Sequence, residues 1–173
     1  MKATDVLAEL YSRLPALVHA AVVDLTPAQL CAVPAAAANP VGWLVWHLAR
    51  VQDAHVAEIL DVDQVWTAGA HAGRFGLAAD PADTGYGHTP AQVAAVRPEN
   101  WRVLEEYHAA VQERTHRLLA ALPDAGLDRV VDAGWDPPVT LGVRLCSVAD
   151  DSLQHLGQAA YVRTLMTAPA SVH

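Results

Sequence analysis

Trp43-Leu44-Val45-Trp46-His47-Leu48-Ala49-Arg50-Val51-Gln52-Asp53 is the stretch on which the fold turns. Its apolar residues recur at three- and four-residue spacing rather than in alternation, which is the period of a helix and not of a strand. Asn39-Pro40, a capping residue followed by proline at the first helical position, marks the start, and the pattern runs to about Leu60. Leu44, His47, Leu48 and Val51 form the inner stripe, so an imidazole stands where an aliphatic side chain is the norm.

Three more long segments carry the same period, and no segment alternates well enough to read as a strand, so the spacing predicts an all-α bundle of four helices. The first spans about Thr4 to Val23, with Thr4 as cap and a kink at Pro15; Thr26-Pro27 restarts a short turn, and an alanine run, Ala35 to Ala38, leads to the second. Between the second and third helices, Asp61 to His88 forms a long connection rich in Gly, Ala and Asp, which in a bundle crosses over one end or folds over a site. Thr89-Pro90 caps a short helix. Pro98 opens the third long one, which places Leu104, Tyr107, His108, Val111, Thr115, Leu118 and Leu122 on one side and ends before Pro123. The fourth runs from about Thr140 to Thr167. Its stripe, Leu141, Arg144, Val148, Asp151, Ser152, His155, Ala159, Val162 and Met166, is apolar at the ends and polar in the middle.

Composition narrows the function classes. A chain of 173 residues, 53% hydrophobic and 17% charged, suits one domain over residues 1–173 with a continuous core, and excludes disorder. A net charge of -8, with eleven basic residues spread along the chain, lacks the concentrated basic surface that nucleic acid requires. Cys31 and Cys146 are isolated, giving neither a disulfide framework nor a cysteine metal cage. No run of eighteen uncharged apolar residues would span a membrane, and the first residues lack the apolar core of a signal peptide, so a cytoplasmic protein is expected.

Polar groups on an inner stripe must be satisfied by partners, water or a metal. Three coincide: His47 on the second helix, with Asp151 and His155 one turn apart on the fourth. Two imidazoles and a carboxylate are the ligand set of catalytic zinc and non-haem iron sites, which keep positions open for water or substrate. Taken alone, Asp-x-x-x-His is equally the spacing of a solvated or hydrogen-bonded pair. Arg144, two turns before Asp151, reads as a clamp for an anionic group or as the partner of an acid in the preceding loop. Gln158 reads as a donor to a ligand or substrate, or as a satisfied core amide. Trp43, Trp46, Trp66, Trp101 and Trp135 read as packing the bundle and its loops, or, for Trp46 beside His47, as the wall of a substrate pocket. Arg50 and Asp53 read as an ion pair or as groups fixing helix ends. His55, His19, His71, His88, His108 and His116 read as surface residues, and Cys146 as a small core residue.

Trp43 to Asp53, and Asp150-Asp151-Ser152-Leu153-Gln154-His155-Leu156-Gly157-Gln158-Ala159-Ala160-Tyr161-Val162-Arg163, resemble the two signature helices of the DinB-like superfamily, close to its mycothiol-dependent, maleylpyruvate isomerase-like branch. Trp46-His47-Leu48 and His155-Leu156-Gly157-Gln158 carry most of the likeness, which extends over nearly the whole chain. The resemblance implies a four-helix bundle holding a divalent metal, commonly zinc or nickel, on His47, Asp151 and His155. Many relatives have histidine where this chain has Asp151; the thiol-dependent maleylpyruvate isomerases use a carboxylate there. Aspartate is one methylene shorter than glutamate and would reach an ion directly or through a water.

The activity so implied is transfer of a low-molecular-weight thiol such as mycothiol to a small electrophile, or thiol-assisted isomerisation, since a divalent cation lowers the pKa of a bound thiol. The same ligands would also suit a metal-hydroxide hydrolase. The competing reading is a non-catalytic, stress-associated bundle that binds or dimerises and carries a weak or vestigial metal site. A homodimer is expected on either reading.

Overall fold

The computed structural model describes residues 1–34 and 38–167. Its frame is four long helical segments. The first divides in two, α1 (Ala3–Ser12) and α2 (Leu14–Val22), because Pro15 has no N–H to continue the ladder, and Arg13 bridges them. A single turn, α3 (Pro27–Leu30), is closed by a capping box between Thr26 and Gln29. The predicted alanine run falls partly outside the described residues.

The second long helix, α4 (Val41–Leu60), has Pro40 as its cap, one position later than the capping pair Asn39-Pro40 suggested. It ends at Asp61 in the left-handed region, φ 53°. Most of it is buried, because α4 is the central helix and packs against both α7 (Trp101–Ala121) and α8 (Leu141–Thr167). The third long helix starts at Trp101, not Pro98. Asn100 is the effective start signal, its side chain accepting from the backbone N–H groups of Arg102 and Val103.

The long connection is not structureless. It carries a turn of helix, α5 (Val65–Ala68), and a 3-10 turn at Ala72–Phe75, and leads into α6 (Pro90–Ala95), capped by Thr89 as expected. Strands were not expected, yet Val130–Asp132 and Val139–Thr140 pair antiparallel as β1 and β2, Val130 opposite Thr140 and Asp132 opposite Val139. Three- and two-residue strands are too short to show alternation. The fold remains all-α in class, with this hairpin leaning on α8.

The core joins all four segments through Tyr11, Leu14, Leu44, Trp46, Leu48, Trp66, Leu104, Tyr107 and Leu145, all but closed to solvent. Its buried polar atoms are mostly bonded. Tyr11 donates to the Leu145 carbonyl at 2.9 Å, and Gln52 donates to Gln112 and Thr115 at 3.1 and 2.8 Å. No described helix is long and apolar enough to cross a membrane.

Candidate metal centre

The packing of α4 on α8 brings the two polar interruptions of the inner stripes together. His47, Asp151 and His155 each present one ligand atom, and these atoms all lie within 4.8 Å of one another. The imidazoles of His47 and His155 meet edge to face, ring centres 4.7 Å apart.

Each ring has one nitrogen committed. His47 Nδ1 lies 2.5 Å from the Thr84 carbonyl oxygen, which can only accept, so Nδ1 carries the proton and Nε2 keeps its lone pair. His155 Nδ1 donates in the same way to the Asp151 carbonyl, one turn back, at 2.8 Å, with Asp151 Oδ1 at 3.4 Å. A histidine whose Nδ1–H is held by a carbonyl or carboxylate is oriented to ligate through Nε2. The second carboxylate oxygen, Asp151 Oδ2, is buried with no hydrogen-bond partner among the described residues. An unpartnered carboxylate oxygen is costly to bury, and a cation is the group that satisfies it. The donor set therefore fits a divalent ion: two imidazole nitrogens and one carboxylate, with positions left open.

Environment divides the two histidines. Burial lowers the pKa of His47, only partly offset by the bond to Thr84, which favours the neutral, ligating form. The Asp151 carboxylate beside it raises the pKa of His155 against a smaller effect of burial. An ion must displace any proton on His155, so its affinity falls in acid.

The other expected site residues fall differently. Trp46 is fully buried in the core, packed between Trp66 and His88 with ring centres 6.0 and 5.7 Å away. Trp43 is the ring that covers the site, stacked on His47 at 4.7 Å and an interplanar angle of 11°. Gln158 is exposed and makes no side-chain hydrogen bond among the described residues. Arg144 is held from two sides: Nη2 lies 3.0 Å from Asp132 Oδ2 at the end of β1, and Nη1 donates to His55 Nδ1 on α4 at 2.7 Å. It nevertheless lines a hollow of about 460 Å³ that also reaches Asp151, His55, Val51, Val139 and the exposed Trp135. A larger hollow of about 620 Å³, between the start of α1 and the end of α7, touches none of the three cluster residues.

Two histidines read as surface residues are not. His108 is 1% exposed, and burial alone lowers its pKa to about 4. His88 is held at both nitrogens, accepting from Trp43 Nε1 at 3.2 Å and donating to Asp83 at 2.8 Å. Cys146, read as a core residue, is exposed, and Cys31 is half-buried; neither belongs to the cluster.

Arg50 and Asp53 hold more of the structure together than their spacing alone suggests. Both are wholly buried, with Arg50 Nη1 3.5 Å from Asp53 Oδ2. Asp53 accepts from the backbone N–H groups of Val65 and Trp66 at 2.9 and 2.8 Å, and from the Tyr107 hydroxyl at 2.9 Å. A charged pair three apart in a largely apolar helix, within two or three turns of Trp43 and Trp46, was the available signal. The Thr84 carbonyl had none, because every residue carries one.

Comparison with known proteins agrees with this architecture. A family model described as the DinB superfamily matches residues 10–159. The crystal structure of a conserved protein from Enterococcus faecalis superposes with a TM-score of 0.89 at 31% identity, covering 98% of this chain and 99% of that one. No curated protein matches the chain.

Proposed function

The chain belongs to the DinB superfamily, and from that premise we propose that it is a divalent-metal-dependent enzyme transferring a low-molecular-weight thiol, of the mycothiol type, to a small electrophile, or isomerising it with that thiol's help. The observation that carries this reading is the pairing of two imidazoles, each with Nδ1 committed, with a buried Asp151 carboxylate oxygen that has no hydrogen-bond partner among the described residues. Zinc or nickel is the ion we assign to it, and the cytoplasm the compartment.

When bound, the ion would supply a positive charge that lowers the pKa of a thiol, so that thiolate is present at neutral pH. The sulfur must come from outside, because neither Cys31 nor Cys146 is in the cluster. In transfer, the S–H proton passes to solvent, the sulfur electron pair forms the new S–C bond, and the leaving group departs with its own pair. In isomerisation, the thiolate adds to a conjugated double bond whose π pair moves onto the substrate's electron-withdrawing group; the resulting single bond rotates, and return of that pair re-forms the double bond and expels the thiolate.

The chain's own residues position the partners. His47, Asp151 and His155 hold the ion, and Trp43 keeps water off one face of His47. The hollow beside Asp151 would take the electrophile, its apolar body against Val51, Val139 and Trp135, with Arg144 at one side. Anionic groups would have to compete there with Asp132 for the guanidinium.

The cobalt-substituted protein provides the test. Titration with a low-molecular-weight thiol should add a sulfur-to-cobalt charge-transfer band, absent when His155→Ala is titrated in the same way. A cobalt spectrum that does not change with thiol would overturn the thiol reading.

A further inference from the structure

The face of α4 next to the metal ligands is devoted to one segment of the long connection, residues 80–88. Trp43 bonds His88, Trp46 stacks on it, and His47 bonds the Thr84 carbonyl. Arg50, one turn beyond His47, donates from Nε to the Asp83 carbonyl at 2.9 Å and from Nη2 to the carbonyls of Pro81 and Asp80 at 3.2 and 3.3 Å. Its remaining nitrogen, Nη1, reaches the Tyr107 hydroxyl at 3.2 Å, while the guanidinium lies 5.0 Å from the Trp66 ring centre. A wholly buried cation thus gathers three backbone carbonyls of one loop, an arrangement suited to the rigid planar fork of arginine and not to lysine.

Just beyond these carbonyls the chain makes its closest approach to the site. Gly85 has φ +90°, and a Cβ there would stand 2.8 Å from His47 Nδ1 and 2.9 Å from Trp46. Only glycine fits both the conformation and the space. The approach sets the Thr84 carbonyl against His47 Nδ1, and so decides which nitrogen of that ring is bare.

We propose that Arg50 is a positioning residue for the metal centre: by clamping residues 80–83 it holds the Thr84 carbonyl on His47, fixing the Nδ1–H tautomer and leaving Nε2 for the ion. This rests on the metal reading above. Groups that orient a ligating histidine contribute about 10- to 100-fold to metal affinity.

Arg50→Lys keeps the charge beside Asp53 but cannot donate to three carbonyls in one plane; Gly85→Ala leaves Arg50 intact and displaces the segment from the other side. Two measurements on the full chain decide the matter. Nitrogen-15 NMR of the metal-free protein at pH 8 should show His47 as the Nδ1–H tautomer in the wild type and a loss of that fixed state in both variants. Zinc affinity, by competition with a chromophoric chelator, should fall about 10- to 100-fold in both variants while their helical circular dichroism matches the wild type. Tyr86→Ser, at an exposed neighbour, should leave both readouts unchanged. An Nε2–H tautomer in the wild type, or Arg50→Lys keeping the wild-type tautomer or a zinc affinity within about twofold of it whatever Gly85→Ala does, would overturn the positioning role. Failure of the wild type to take up zinc removes the metal reading instead, and the tautomer comparison then judges the Arg50 clamp by itself.

Discussion

A single histidine away from the site gives the clearest statement about pH. His108 is buried and uncharged, its Nε2 without a hydrogen-bond partner among the described residues, and its pKa is lowered to about 4 from an ordinary 6.5. Between those values the unfolded chain binds the proton and the folded chain does not, so stability falls as pH drops from 6.5 toward 4 and is flat above. Each tenfold difference in proton affinity between the two states is worth about 1.4 kcal/mol, so the loss by pH 4 is on the order of 3 kcal/mol. His108→Leu should remove that component: urea unfolding at pH 7 and pH 4.5 should show a smaller loss in the variant, by about 2 kcal/mol. An identical loss in both proteins would mean that His108 takes up its proton equally well in the native and unfolded states. Single residues are also where the sequence is easiest to misread. His47 and His155 stand out because each interrupts an apolar stripe in a distinctive context, whereas His108, on an equally apolar stripe of α7, looks like one of several surface imidazoles.

At the scale of elements, the four long helices were legible because each repeats its apolar residues over four or more turns. Their ends were less so: Pro98 precedes the true start of α7, because Asn100 makes the capping bonds. The connection was legible as a long insertion but not as an ordered one. Its order comes from groups on α4 that bond its backbone, and backbone partners leave no trace in the pattern of side chains. Asp53 is the clearest case, since one carboxylate holds the start of α5, the Tyr107 hydroxyl and Arg50. Asp53→Ala would leave a buried arginine without its counter-charge and two backbone N–H groups without an acceptor. Breaking a buried pair from one side costs about 3 to 5 kcal/mol. A shift of the urea midpoint equivalent to less than about 1 kcal/mol would show that the network is not what holds the connection down.

In the whole molecule, α4, α8 and the connection form one device, and on the proposed reading an ion is the group that His47, Asp151 and His155 would hold. An ion that binds only the folded chain stabilises it by mass action, about 2.7 kcal/mol at a free concentration one hundred times its Kd. The exposed acids that give the chain its net charge of -8 make weak surface binding of cations an expected background, so stoichiometry and site variants must be read together. The most direct measurement is the metal content of the protein purified without chelator or affinity tag, beside His47→Ala, His155→Ala and Asp151→Asn. We expect about one divalent ion per wild-type chain and a small fraction of that in each variant; the same sub-stoichiometric content in all four proteins would contradict the existence of this centre.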